Sequence, residues 1–176
     1  MKKIALLILS IVFVLNSSNA QDNCEKGPSG SLRLNLELNA MTSLRNKGMT
    51  THGYNFDLGI SIYKNLYALG SVELMNYHDR NGEHKTYYNC SDLSGGLVYN
   101  IIDKTNTTIP FKVKIGTTLG NPEWKYTLYD ASLALNQRIG KSNTAIVLGL
   151  GYRHNKSRTE DILSHSFLYA FLGLKL

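Results

Sequence analysis

The residues of this chain that could do chemistry are charges set at alternate positions along apolar segments. Arg33, Lys112, Lys114, Arg138, Arg153 and Lys175 supply cations, and Glu37, Asp57, Glu73 and Asp130 supply carboxylates. Around them, at positions of the same parity, stand small residues such as Gly59, Ser61, Ser71, Ser132 and Gly151. Charges of both signs on one face either line a passage that could bind an anion, or pair with one another in a tight interior. The second reading is preferred, with Arg33 and Glu37 on one strand joining Glu73, Asp130 and Arg138 in a packing network. The five histidines are scattered, and no metal-ligand spacing, phosphate loop or nucleotide fingerprint occurs, so neither metal nor cofactor is expected.

The elements that must position these charges are strands, because alternation with period two runs through nearly the whole chain. Eight segments show it: 31–41, 54–64, 66–77, 92–102, 109–119, 126–139, 144–154 and 166–176. In the first, Leu32, Leu34, Leu36, Leu38 and Ala40 alternate with Arg33, Asn35, Glu37 and Asn39. Each segment is about twice the usual five or six residues of a soluble strand and matches the roughly 9–11 that cross a bilayer at a tilt. The last segment ends the chain on Leu172, Leu174 and Leu176 of one face. An unpaired apolar edge there would invite aggregation, whereas a closing strand leaves no edge. Residues 42–53, 79–91 and 155–163 form long polar connections; 64–65 and 140–143 are tight turns, with 103–108 and 120–125 between these extremes.

The N-terminus reads as a secretory signal peptide over residues 1–20. Lys2 and Lys3 precede an apolar run, Ile4 to Leu15, that is too short to span a bilayer, and Ser18, Asn19 and Ala20 offer a cleavage site. Cleavage after Ala20 leaves residues 21–30 as a short N-terminal segment ahead of a single barrel domain, 31–176. It also lowers the formal charge from +6 to +4, since two lysines and no acid are lost. A surplus that small is not a nucleic-acid footprint but suits a lipopolysaccharide-facing surface. Cys24 lacks the small and apolar residues before it that lipidation requires.

Alternation by itself does not name the medium, since a soluble lipocalin-like carrier shows the same pattern turned inside out. Small residues and mixed charges on the polar faces favour a cramped interior there. Aromatics on the apolar faces (Tyr54, Phe56, Tyr99, Phe111, Tyr129 and Tyr152) gather towards strand ends, as interfacial girdles do.

The signal peptide, eight alternating strands and the terminal Leu-x-Leu-x-Leu resemble the small OmpA/OmpX-type outer-membrane barrels over the whole mature chain. The Ala20–Gln21 junction is similar to that of proteins exported by Bacteroidota-type bacteria. The resemblance implies an all-β, eight-stranded antiparallel up-and-down transmembrane barrel, monomeric, with both termini periplasmic. Its lipid neighbours would be outer-membrane lipid and lipopolysaccharide, and its C-terminal strand would be read by the barrel-assembly machinery, although Leu176 replaces the family's usual Phe or Trp. Extracellular partners would meet loops 42–53, 79–91 and 155–163. Cys24 would then lie at the periplasmic rim and Cys90 in the second outer loop. A hydrocarbon band of about 25 Å separates those places, and bonded cysteines need Cα atoms within roughly 7 Å, so no disulfide between them is expected.

Some barrels of this size modify lipid A, and two stretches are similar to theirs. A deacylase-type site combines a histidine, a nearby serine and a downstream acid, which His154, Ser157 and Glu160 supply with altered spacing. An acyltransferase-type site combines a first-loop histidine with a later Asp-Ser pair, echoed by His52 and the reversed Ser91–Asp92. A serine nucleophile must lie within hydrogen-bond reach of its base, which loop spacing does not enforce. The preferred reading is therefore a non-enzymatic structural or surface-interaction protein; the alternatives are a lipid A-modifying enzyme and a soluble periplasmic carrier.

Overall fold

The computed structural model describes residues 33–45, 49–79, 85–140, 142 and 144–176. The signal peptide, its junction at Ala20–Gln21, the segment 21–30 and Cys24 lie outside the described residues. Eight antiparallel strands follow one another in chain order and close into a barrel. They are β1 (Leu34–Arg45), β2 (Met49–Tyr63), β3 (Leu66–Asp79), β4 (Tyr87–Asp103), β5 (Thr107–Thr118), β6 (Tyr126–Arg138), β7 (Ala145–Ser157) and β8 (His165–Lys175). The C-terminal strand is the closing stave. It pairs with β1 through Glu37↔Lys175, Leu38↔Leu174 and Ala40↔Leu172, and the Leu176 N–H donates to the Leu36 carbonyl at 2.8 Å. No strand edge is left open, which removes the aggregation hazard of so much apolar strand.

The strands run past the ends that periodicity assigns them, most of all at the rim opposite the chain's last residue, called here the far rim. β1 reaches Arg45, β2 begins at Met49, β4 begins at Tyr87 and β7 reaches Ser157. Residues 42–53, expected as a loop, are therefore mostly strand, and the connections 79–91 and 155–163 shrink to the stretches between Asp79 and Tyr87 and between Ser157 and His165. At the near rim β2 and β3 are separated by Lys64 and Asn65 as expected, the connection expected over 103–108 shrinks to the three residues between Asp103 and Thr107, and the one expected over 140–143 spans 139–144.

Side-chain parity divides the barrel into two surfaces. Residues such as Leu38, Leu97, Ile115, Leu148, Leu150 and Leu172 point outward, with Leu150 still 59% exposed. Glu37, Asp57, Glu73, Lys112, Lys114, Asp130 and Arg153 point inward and are buried. A soluble carrier needs the reverse, an apolar interior and a hydrated exterior, so the lipocalin-like alternative is overturned by the direction of the side chains. Two apolar clusters bracket the charges within the lumen. Towards the far rim lie Met75, Tyr77, Tyr87, Cys90, Trp124 and Tyr126 among others; towards the near rim lie Tyr67, Leu69 and Val98. Glycines permit the tight interior where a ring crosses a strand: a Cβ on Gly151 would fall 2.3 Å from the Tyr169 ring.

Candidate functional site

The inward charges meet in the lumen, most of them as struts between strands that are not neighbours. Lys112 on β5 places its Nζ 2.5 Å from Glu37 Oε1 on β1 and 3.0 Å from Asp57 Oδ2 on β2. Lys114, two residues on and so on the same face, reaches Glu73 Oε1 on β3 at 2.6 Å and stands 4.0 Å from Asp57 Oδ1. Arg153 on β7 completes the chain of charges, its Nη1 lying 2.6 Å from Glu73 Oε2 and its Nε donating to Asp130 Oδ2 at 2.8 Å. Because β1 and β5, like β3 and β7, are four staves apart among eight, two of these links span the barrel's diameter.

Neutral side chains take up remaining lone pairs. Asn39 Nδ2 donates to Glu37 Oε1 at 2.8 Å, Asn55 Nδ2 to Asp57 Oδ1 at 3.2 Å, and Ser71 Oγ to Glu73 Oε1 at 3.3 Å. The Tyr169 hydroxyl donates to Asp130 Oδ1 at 2.8 Å. Arg153 and Glu73 are wholly buried, and charges removed from water persist only when paired and hydrogen-bonded in this manner. Lys175 lines the same cavity as Glu37, Asp57 and Lys112, adding a fourth cation opposite four carboxylates. That cavity amounts to about 20 Å³, and a second, beside Lys114 and Tyr169, to about 10 Å³. Each has room for roughly one water molecule. The arrangement is chemically a plug: it holds the wall together and leaves little space for a ligand.

A second polar chain lies above it. Asn155 Nδ2 donates to the Tyr77 hydroxyl oxygen at 2.8 Å, Tyr77 and Tyr126 hydroxyls are 3.0 Å apart, and Tyr126 donates to Asp92 Oδ2 at 2.8 Å. With Tyr126 donating to the carboxylate, the proton between the two tyrosines comes from Tyr77. Trp124 packs on this chain, its ring 4.9 Å from that of Tyr77 and 4.6 Å from that of Tyr126. At the exposed edge Lys85 and Glu123 meet at 2.7 Å, and the hydrogen bond and charge of Glu123 raise the lysine's pKa.

Of the ten charges read on the polar faces, seven join the network, namely Glu37, Asp57, Glu73, Lys112, Lys114, Asp130 and Arg153, and Lys175 lines the cavity beside them. Arg33 and Arg138 are exposed at the near rim, because the strand ends carry them out of the crowded zone. Tyr77, Tyr126 and Asn155 escaped the sequence reading, and Asp92 entered it only beside Ser91 as a catalytic echo, not as a lumenal acid. Parity offered a signal for Asp92, which shares a face with Ser94 opposite Leu93, but hydroxyl and amide partners carry no charge to attract notice.

His154, Ser157 and Glu160 are not brought together. Strand β7 continues through His154 to its end at Ser157, so these two, three apart, point to opposite faces. His154 points outward, its Nδ1 2.7 Å from Ser166 Oγ on β8 and its ring stacked on Tyr129. Ser157 points inward, accepting from Trp124 Nε1 at 3.2 Å and donating to the Thr159 carbonyl at 3.1 Å, while Glu160 is exposed in the following loop. The second echo is separated likewise. His52 faces outward with its Nδ1 2.9 Å from Thr42 Oγ1, and of Ser91 and Asp92 the acid turns into the lumen. Cys90 is a free, buried thiol.

No protein-family model matches the sequence, and no curated protein is similar to it. The fold is similar to the solution NMR structure of the de novo designed TMB2.3, an eight-stranded transmembrane β-barrel. The two superpose with a TM-score of 0.51 over 85% of this chain and 96% of that one, at 7% sequence identity. The chain thus has the fold of an eight-stranded transmembrane β-barrel.

Proposed function

We propose that this protein is an integral outer-membrane barrel with a structural or surface-interaction role and no transport role, meeting its partners at the far rim. The observation that carries the reading is the set of ion-pair struts through the lumen, from Lys112 to Glu37 and from Arg153 to Glu73. A conduit needs a hydrated bore, and here buried charges neutralise one another across the diameter. The outward belt of leucine, isoleucine and valine supports residence in lipid, where a continuous apolar exterior costs nothing. An even strand count puts both ends of the barrel on one side, which under this reading is the periplasm. The connections after Asp79 and Ser157 then face outward.

Reconstitution into planar bilayers tests the absence of transport: the expected record shows no conductance steps, and regular porin-like openings would refute it. Fractionation of cells expressing the full chain tests residence, with recovery in the outer-membrane fraction and heat-modifiable gel migration expected. A second reading draws on one specific contact, the hydrogen bond between His154 and Ser166 on the lipid-facing surface. That pair has the reach of a base and a hydroxyl nucleophile, so a lipid hydrolase, if this chain is one, would use Ser166 in place of Ser157. Mass spectra of lipid A from cells with wild-type and Ser166→Ala protein discriminate: identical profiles exclude hydrolysis of that lipid.

A further inference from the structure

Three cations stand together on the outside of the barrel at the far rim. Lys156 sits on the outward parity of β7 and pairs in register with Thr127 on β6. The next pair up joins Lys125 and Arg158, whose N–H donates to the Lys125 carbonyl at 2.7 Å. The Arg158 guanidinium crosses β6, donating to Thr117 Oγ1 at 2.5 Å and to the Tyr126 carbonyl at 3.2 Å. All three cations are exposed, and none forms an ion pair among the described residues. Glu123, the acid nearest Lys125 in sequence, is engaged by Lys85.

Below the cations the outward face changes character in steps of two residues, about 7 Å each. The first step brings Tyr129, His154 and Ser166, which align across β6, β7 and β8. Tyr152 and Leu168 follow, and then Leu133 and Leu150. Charge, then hydroxyl, imidazole and phenol, then hydrocarbon is the order of groups in a lipid met from its head downwards.

We propose that this outward patch binds the phosphate headgroup of a bilayer lipid, with Lys125, Lys156 and Arg158 facing the phosphate and the acyl chains lying on Tyr152, Leu150 and Leu168. It rests on the reading that the apolar belt meets lipid. An anionic soluble partner would satisfy the cations but leave the apolar staves beneath uncovered; a phosphorylated lipid satisfies both.

The full chain in neutral detergent, titrated with dioleoyl phosphatidylglycerol or with dioleoylglycerol lacking the phosphate, tests this by native mass spectrometry. Retention of the phosphorylated lipid is expected to fall about fivefold for each cation removed in K125Q/K156Q/R158Q, towards the level of dioleoylglycerol. K125Q/K156Q, which keeps the Arg158 contacts with β5 and β6, should show two of the three steps should the triple variant fold poorly. The near-rim variant R33Q/K104Q/R138Q, in which Lys104 belongs to the turn between β4 and β5, should retain lipid as the wild type does. Equal retention by wild type and far-rim variants overturns the site, as does an equal loss in the near-rim variant. Displacement of the lipid by excess inorganic phosphate overturns the lipid as its occupant. A chain that stays in solution without detergent overturns the membrane reading together with this one, whereas an embedded chain indifferent to charge overturns the patch alone.

Discussion

Replacing Arg153 by methionine removes the cation that joins two carboxylates from opposite parts of the wall. Asp130 would keep the Tyr169 hydroxyl but lose the 2.8 Å bond from Arg153 Nε, its ion pair among the described residues. Glu73 would keep Lys114 at 2.6 Å and Ser71. Methionine fills similar length without charge, so the change strands negative charge more than it opens a cavity. With Arg153, Glu73 and Asp130 all buried, the cost is that of breaking a buried pair, about 3–5 kcal/mol. That is roughly a 10²- to 10⁴-fold change in the unfolding constant at 1.4 kcal/mol per decade. Urea unfolding in lipid vesicles measures it, followed by the fluorescence of Trp124, the chain's single tryptophan, which is buried against Tyr77 and Tyr126. Adding Asp130→Asn to Arg153→Met removes the stranded carboxylate and should recover at least about 1 kcal/mol. A loss below about 1 kcal/mol in the single variant, the worth of an exposed pair, would mean that water reaches the network and that the struts are not buried pairs.

Tyr126→Phe deletes the hydroxyl between Tyr77 and Asp92 and leaves a buried carboxylate oxygen without its donor. Urea unfolding should show a loss of about 1–3 kcal/mol, and an unchanged midpoint would contradict the relay. Gly151→Ala puts a methyl 2.3 Å from Tyr169 Cζ, a ring held in place by the bond to Asp130, so overpacking should cost about 1–3 kcal/mol by the same measurement. In a Cys24→Ser background, Cys90 should resist maleimide in the folded barrel and react once urea unfolds it; rapid labelling of the folded protein would contradict its burial beneath the far-rim aromatics.

The far rim is where the sequence reading fell short, for a local reason. Outward positions there are polar (Thr42, Thr50, His52 and Ser91) while Met41, Met49 and Cys90 are buried on the inward side, so the apolar-out, polar-in period is lost although the backbone pairing continues. On β4 the phase itself slips. Asn89 adopts a positive φ of 54°, and the register shifts between Met75↔Cys90 and Tyr77↔Tyr87, so Tyr87 and Cys90 both turn inward although they differ in parity. The His154–Ser157–Glu160 grouping failed for the same cause: a stretch taken as loop is strand, and a strand sends the first two to opposite faces.

Parity along each strand is a property of neighbouring residues, and so the eight staves, the apolar exterior and the charged interior were legible in the chain without its structure. Glu37, Asp57, Glu73, Lys112, Lys114, Asp130 and Arg153 could be assigned to one surface by counting in twos. Which of them meet could not. Glu73 lies between Lys114 and Arg153 because barrel closure brings β3 opposite β7, and stave height is set by stagger accumulated over every hairpin. Only the closed tertiary structure joins these carboxylates to their cations, turns His154 to Ser166, and gathers Lys125, Lys156 and Arg158 above an apolar wall.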